Sequence, residues 1–204
     1  MARKVKFSGL QLKKTNILNE DGTVTFIVEA QNITQRQLAW DLWLNTRTNG
    51  RNLCYVPITD SNNLRIFDNK EHDFPYIIDG GYFSYLPHKV EGAKQLSSKA
   101  FLYPDKPYIA CFASGQLFVL TFQKHEQKEI HPEQSLVEIY NMVDPTNTSN
   151  HLLELEYHAP FKLLQPGETM QTWQKWHLFE YNGDNNREAH LRFLTSIDFE
   201  RLLL

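Results

Sequence analysis

The sequence predicts an all-β sandwich, and three observations lead to that prediction. The chain has 204 residues, of which 41% are hydrophobic and 13% aromatic, enough for the core of one domain. Short apolar runs recur along it with turn-forming residues between them, which is typical of antiparallel sheets. Only the last segment, 187–204, has apolar residues at helical spacing. We therefore predict a single domain over 1–204, with a β core over 5–181 and a helical C-terminal extension over 187–204.

In the first half of the chain, clusters of Asn, Asp and Gly separate the predicted strands. The turn at 19–22 separates the first two strands. Residues 45–52 contain Gly50 and are expected to form a polar loop, and residues 88–99 are expected to form a polar connection. The strands predicted here are 5–12, 23–30, 38–44, 55–58, 64–69, 76–78 and 82–85.

The second half continues the pattern, with turns at 104–107, 114–115 and 144–147. The strands predicted here are 100–103, 108–113, 117–123, 135–142, 152–157 and 169–181.

The segment 151–181 is the most informative, because it combines two apolar runs that a Gln-Pro-Gly-Glu turn joins into a predicted hairpin. Alternate side chains of a strand point to opposite faces of the sheet. One face of the first run is therefore polar and carries Glu154, Glu156 and His158. The opposite face is apolar and carries Leu153, Leu155 and Tyr157.

This polar row has two interpretations. A strand with one polar face is often simply half exposed to solvent. The alternative is sugar recognition, in which aromatic rings pack on the sugar and carboxylates accept hydrogen bonds from its hydroxyls. Trp173, on the following predicted strand, is a candidate ring. A carboxylate pair can also perform acid–base catalysis if burial separates the two pKa values.

A second group of candidate site residues comes from the predicted strand 38–44 and the residues after it. Asp41, Trp43 and Asn45 share a face if the strand is regular, although Trp43 is equally compatible with the core. Arg47 follows, and its guanidinium is suited to clamping a hydroxyl-rich or anionic ligand. On the predicted strand 135–142, Glu138 and Tyr140 share a face, and we expect them at the rim of the site.

Composition argues against several other classes of function. With 21 Lys and Arg against 24 Asp and Glu, the net charge is −3, and no basic excess points to nucleic acid. Cys54 and Cys111 form no CxxC pair and are predicted to be free buried thiols. No HExxH motif, phosphate-binding loop or nucleophile elbow occurs, so no metal and no cofactor is predicted. No membrane-length apolar stretch or secretory leader is seen, so we expect a cytoplasmic protein that contacts no membrane.

Three segments together resemble the galactose-mutarotase-like (aldose 1-epimerase-like) superfamily. They are VTFIVEAQNITQRQLAWDLWLN, SLVEIYNM and LLELEYHAPFKLLQPGET, in that order along the chain. The resemblance covers roughly 5–181. The order and spacing of the segments are similar to those of an uncharacterised bacterial branch of this superfamily. The chain is shorter than a complete mutarotase, and we expect it to lack the first strands. The resemblance implies a β-supersandwich that binds a sugar or oligosaccharide on a concave face.

The resemblance also implies roles for particular residues. In true mutarotases a glutamate on the last-hairpin strand is the base, and this position falls on Glu154 or Glu156. A histidine protonates the ring oxygen there, but its position falls near Asp41, where this sequence has no histidine.

Three functions follow as hypotheses from these residues. The first is carbohydrate binding with weak or no epimerase activity. The second is an active aldose 1-epimerase-type isomerase, which acts on a free or phosphorylated sugar with Glu154 or Glu156 as base and Asp41, His158 or another histidine as acid. The third is an assembly module, completed by another chain or by a second copy in a homo-oligomer, since the apolar C-terminal end could cover a sheet edge.

Overall fold

A computed structural model of the chain describes residues 3–4, 9–67, 74–87 and 95–203. In this part of the chain the strands and helices follow in the order β1 Arg3–Lys4, β2 Leu10–Leu18, β3 Val24–Asn32, β4 Leu38–Trp40, β5 Trp43–Asn49, β6 Leu53–Pro57, β7 Leu64–Phe67, β8 Tyr76–Asp79, β9 Tyr82–Tyr85, β10 Leu96–Leu102, β11 Tyr108–Ala113, β12 Gln116–Phe122, β13 Val137–Val143, β14 Leu152–His158, β15 Lys162–Leu164, β16 Thr169–Glu180, α1 Arg187–Thr195 and α2 Phe199–Leu202.

The described strands form two large antiparallel sheets and one small pair. The nine-stranded sheet has the order β1-β2-β3-β16-β12-β11-β6-β9-β8, and the five-stranded sheet has the order β5-β14-β13-β10-β7. β15 and β4 pair with each other. The prediction of an all-β sandwich with a short C-terminal helix is confirmed.

The main core lies between the two large sheets. On β14, Leu153, Leu155 and Tyr157 are fully buried and point inward. The hydroxyl of Tyr157 lies 2.8 Å from Thr172 Oγ1 on β16, so these side chains join the two sheets. This confirms the predicted apolar face of β14 and leaves its polar row on the outer face of the five-stranded sheet.

A second apolar cluster covers the other side of the nine-stranded sheet. Aromatic side chains of β6 and β11 pack there against the C-terminal helices, with the Phe112 ring stacked on His190 at 3.7 Å and Tyr108 stacked on Phe199 at 4.0 Å. The apolar end of the chain therefore covers a sheet face of its own molecule.

The predicted helix over 187–204 is interrupted. α1 begins after Asn186, whose side-chain oxygen accepts a hydrogen bond from the Ala189 amide at 3.0 Å. A second cap at Asp198 starts α2, because its side chain accepts from the Arg201 amide. Within the described residues, neither helix has the length and apolar content needed to cross a membrane.

Several predicted strand bounds were wrong. The first strand was predicted at 5–12, of which 5–8 lie outside the described residues, and β2 continues to Leu18. The predicted strand 38–44 is divided, because β4 pairs with β15 whereas β5 pairs with β14. The predicted polar loop 45–52 is largely strand, since β5 is an edge strand with one solvent-facing side and therefore carries polar residues. Part of the predicted connection 88–99 belongs to β10, and 88–94 lie outside the described residues.

The predicted hairpin of 151–181 is also wrong. The Gln-Pro-Gly-Glu turn exists, with Gly167 at a φ of 83°. However, β14 belongs to the five-stranded sheet and β16 to the nine-stranded sheet. The segment between them, which includes β15, crosses from one sheet to the other.

Candidate functional site

The polar side chains of the five-stranded sheet form three rows across its outer face, because strand register places alternate residues side by side. The first row contains Lys99, Tyr140, Glu154 and Arg47. The second contains Phe101, Glu138, Glu156 and Asn45. The third contains His158 and Trp43. The structure therefore brings together the residues predicted from three separate segments of the sequence.

Lys99 on β10 joins two carboxylates of neighbouring strands. Its ammonium group lies 2.7 Å from Glu138 Oε2 and 2.8 Å from Glu156 Oε2. Both glutamates are almost completely buried, whereas the Lys99 side chain remains 23% exposed. Buried carboxylates require such a partner, because removing an unpaired charge from water is costly.

His158 lies at the end of β14 between further carboxylates. Its Nδ1 is 2.8 Å from Asp41 Oδ2, and its Nε2 is 3.6 Å from Glu138 Oε1 and 3.9 Å from Glu156 Oε2. We call Asp41, Lys99, Glu138, Glu156 and His158 the ionic cluster.

Burial and charge act in opposite directions on the groups of the ionic cluster. Burial favours the neutral imidazole of His158, but the bond with Asp41 and the charges of Glu138 and Glu156 outweigh it and raise the pKa to about 10. Burial likewise opposes ionisation of Glu138, yet His158 and Lys99 lower the pKa of that carboxyl. These effects favour a protonated imidazolium at His158 at neutral pH, opposite the ionised form of Glu138.

Trp43 connects this cluster with the surface. Its indole Nε1 donates a hydrogen bond of 3.0 Å to Glu156 Oε2, and its ring lies nearly parallel to the His158 ring at 6.2 Å between centroids. The side chain is nevertheless 55% exposed. The alternative that Trp43 belongs to the core is therefore wrong, because β5 is an edge strand and Trp43 points outward from it.

Arg47 and Tyr140 extend the site along the first row. Arg47 Nε lies 2.7 Å from Glu154 Oε1, and Lys99 Nζ lies 5.9 Å from the centre of the Tyr140 ring. Glu154 is buried and Arg47 is largely exposed. The guanidinium thus covers the carboxylate instead of standing free in a loop.

Two predicted positions need correction. Glu138 was expected at the rim, but it is completely buried at the centre of the cluster, because β13 is the middle strand of the five. Trp173 was expected beside the glutamates. It lies on β16 in the other sheet, and the inward position there is taken by its neighbour Thr172, so the structure does not bring Trp173 to this site.

The ionic cluster also contains a possible cation site that the sequence motifs did not indicate. Ligand atoms of Glu138, Glu156 and His158 lie within 4.8 Å of one another. A metal ion there would have to displace the Lys99 ammonium group and the proton of the imidazolium. The residues present therefore fit the bound ammonium better than a metal.

Lys99 is a residue of the candidate site that the sequence did not predict. It falls in the predicted connection 88–99, although the alternation of Lys99 with buried Ser98 and Ala100 is the pattern of a strand. If the predicted strand 100–103 began a few residues earlier, the sequence would place Lys99 on a strand.

Two polar atoms of the ionic cluster are buried without a hydrogen-bond partner among the described residues. They are Glu156 Oε1 and His158 Nε2. The hydroxyl group of a ligand could donate a hydrogen bond to the carboxylate oxygen and accept one from the imidazole nitrogen, because a hydroxyl is both donor and acceptor.

Comparisons with known proteins agree with the fold. A TPR-domain containing protein from Parabacteroides distasonis superposes with a TM-score of 0.57 at 12% identity, covering 90% of this chain and 32% of that one. A galactose mutarotase-like protein from Lactobacillus casei superposes with a TM-score of 0.54 at 11% identity, covering 88% of this chain and 68% of that one. The chain thus spans about a third to two thirds of the length of these proteins.

Sequence comparisons complete the assignment. Comparison with curated protein sequences gave no match. The profile of one family, described as "Domain of unknown function (DUF4380)", matches residues 2–179. The chain therefore belongs to the DUF4380 family and has a galactose-mutarotase-like fold.

Proposed function

We propose that the protein binds carbohydrate on the outer face of the five-stranded sheet, with weak or no epimerase activity. The observation that carries this proposal is the Trp43 indole, which is half exposed and yet held in place by its hydrogen bond to Glu156. A ring that is already fixed loses little conformational freedom when a ligand packs on it. Its face suits the apolar C–H surface of a sugar.

Polar side chains lie beside this ring, because alternate residues of β5 point to the same face of the sheet. Asn45 is two residues further along the same face of β5, and Arg47 follows at the next such position. Asn45 Oδ1 has no hydrogen-bond partner among the described residues. An aromatic ring beside an amide and cationic donors is a suitable combination for hydroxyl groups.

The burial and hydrogen bonds of the carboxylates support binding over catalysis. A general base must reach the proton that it removes. Glu156 is buried and already bonded to Lys99 and Trp43, and Glu138 is bonded to Lys99. Neither carboxylate is therefore a free base on the surface, and strong epimerase activity is not expected from this arrangement.

Thermal unfolding in the presence of monosaccharides and short oligosaccharides tests the proposal. A sugar present well above its dissociation constant raises the melting temperature by mass action. We expect at least one sugar to do so for the wild-type protein and not for Trp43→Ala. Trp173→Ala is the matched control, because it removes the same ring from the other sheet. If no sugar shifts the folded wild-type protein, or if both variants respond alike, the proposal is wrong.

The second candidate is an aldose 1-epimerase-type isomerase. The protonated His158 opposite Glu156 and Glu138 favours it, because these groups have the charges of an acid and a base. NMR exchange between the anomers of glucose, galactose and glucose 6-phosphate measures this activity. Exchange far above the buffer rate that disappears in Glu156→Gln would establish the isomerase and refute the weak-activity proposal. Exchange at the buffer rate would exclude the isomerase for these sugars.

A further inference from the structure

A cavity lies at the edge of the sandwich beside β5 and extends to Asp41 of the ionic cluster. It is about 460 Å³ and opens at the edge where β2 and β5 face each other. We call it the edge cleft. Its wall residues include Leu12 and Lys14 of β2, Phe26 of β3, Leu44 of β5, and Gln174 and Trp176 of β16, together with Asp41, Trp43 and Asn45 at the sugar-binding face. Sites for small organic ligands have about this volume, in the range of roughly 300–1,000 Å³.

The wall of the edge cleft is mainly apolar and aromatic. The rings of Phe26 and Trp176 lie 4.4 Å apart, and Leu12 and Leu44 contribute aliphatic surface. A sugar would leave most of its hydroxyl groups unbonded against such a wall, which costs free energy. A flat aromatic ligand fits it better.

Some polar atoms of the wall are buried without a hydrogen-bond partner among the described residues. Gln174 is buried, and its side-chain oxygen has no hydrogen-bond partner among the described residues. The same is true of Trp176 Nε1. Buried polar atoms are normally bonded, so an unpaired acceptor and an unpaired donor in one cavity wall point to a ligand that bonds to them.

Two charged residues line the cleft, Asp41 and Lys14, and Asp41 is already paired with His158. The side chains of Lys13 and Lys14 point to opposite faces of β2 because they are neighbours on a strand. Lys13 is paired with Glu29 at 2.6 Å on the outer face. Lys14 lines the cleft and forms no ion pair within the part of the chain that the structure describes. Its single positive charge complements a single carboxylate.

We propose that the edge cleft binds a small aromatic carboxylate, with its ring against Phe26 and Trp176 and its carboxylate at Lys14. The ring of such a ligand carries a hydrogen-bond donor for Gln174. The cleft shares Asp41, Trp43 and Asn45 with the carbohydrate site proposed above, whereas Lys14, Phe26 and Gln174, which carry this proposal, lie outside that site.

Isothermal titration with indole-3-acetate tests the proposal, with indole-3-acetamide as the uncharged analogue. We expect the wild-type protein to bind the acetate more tightly than the acetamide. Lys14→Met should weaken acetate binding by about three- to tenfold, the magnitude of one partly exposed ion pair, and leave acetamide binding unchanged. Lys13→Met is the matched control and should change neither. Absence of binding up to the solubility limit, or equal effects of the two lysine variants, would overturn the proposal.

Two further variants separate the cleft from general folding effects and from the sugar site. Gln174→Leu should weaken binding of both indoles without lowering the melting temperature, since it removes an acceptor that has no partner in the protein. Arg47→Met changes the sugar-binding face outside the cleft and should leave indole-3-acetate binding as in the wild type. A loss of binding in Arg47→Met would refute the assignment to the edge cleft.

Discussion

His158 and Asp41 are joined by a 2.8 Å contact between Nδ1 and Oδ2, although 117 positions separate them in the chain. Asp41 lies between β4 and β5, so this contact ties the junction of those two strands to the end of β14. It also fixes the orientation of the imidazole, because Nδ1 must donate to the carboxylate and Nε2 therefore faces Glu138 and Glu156.

Replacing Asp41 by Asn should lower the pKa of His158 by about one to two units, because a neutral amide stabilises the imidazolium less than a carboxylate does. The pKa should still exceed the ordinary value, since Glu138 and Glu156 remain. NMR titration of the imidazole measures it, with Asp60→Asn as a distant control. An unchanged pKa in Asp41→Asn would show that the contact contributes no charge stabilisation.

The raised pKa of His158 also predicts how stability changes with pH. The folded pKa of about 10 lies above the ordinary value of 6.5, so the stabilisation is complete below about pH 6.5 and is lost as the pH rises towards 10. The free energy of unfolding of the wild type should therefore fall across this range in urea denaturation. The decrease should be smaller in His158→Gln. Equal slopes for the two proteins would contradict the assignment.

Lys99→Met should destabilise the protein by about 2–4 kcal/mol, since it leaves Glu138 and Glu156 buried side by side without their shared cation. Lys13→Met removes the exposed pair with Glu29 and should cost less than about 1 kcal/mol. Chemical denaturation of both variants provides the comparison. If Lys99→Met lowers the free energy of unfolding as little as Lys13→Met does, Lys99 is not needed to stabilise the two buried carboxylates.

Acid should weaken the contact between α1 and the nine-stranded sheet. Burial lowers the pKa of His190 to about 4, so the folded state holds a neutral imidazole that the unfolded chain protonates below about pH 6.5. Stability should decrease as the pH falls from about 6.5 to 4. His190→Gln should show a shallower decrease, whatever its stability at pH 7. An identical acid profile would exclude His190 as a contributor.

Both thiols should be unreactive in the native protein. Cys54 and Cys111 face each other on β6 and β11, and burial raises the pKa of each thiol, that of Cys111 to about 12. A disulfide exchange reagent should label neither thiol in the folded protein and both after denaturation. Rapid labelling of the native protein would contradict the described packing.

The sequence predicted the local features of the site better than its long-range partners. Alternation along one strand is a local property, and it placed Glu154, Glu156 and His158 on one face. Which strands become neighbours depends on pairings between distant segments, and no local pattern encodes them. For this reason Trp173 was assigned to the wrong sheet, and Lys99 was left in a connection.

The predicted strand boundaries were wrong where a strand is polar. β5 contains Asn45 and Arg47 because it is an edge strand, and its composition is that of a loop. Burial of Glu138 was likewise unpredictable, since a carboxylate enters a sheet centre only when cations from other strands accompany it.

The position of β16 has a consequence for synthesis of the chain. It pairs with β3 on one side and β12 on the other, so the last of the described strands completes the middle of the largest sheet. β3 leaves the ribosome roughly 140 residues earlier, which is about 10–30 s at ordinary translation rates. During that interval the edge of β3 that will later pair with β16 has no partner, and over roughly the last 50 residues the corresponding edge of β12 has none either. Nascent chains are therefore exposed to edge-to-edge association until β16 has been made, and slower translation of the segment before β16 would lengthen that exposure.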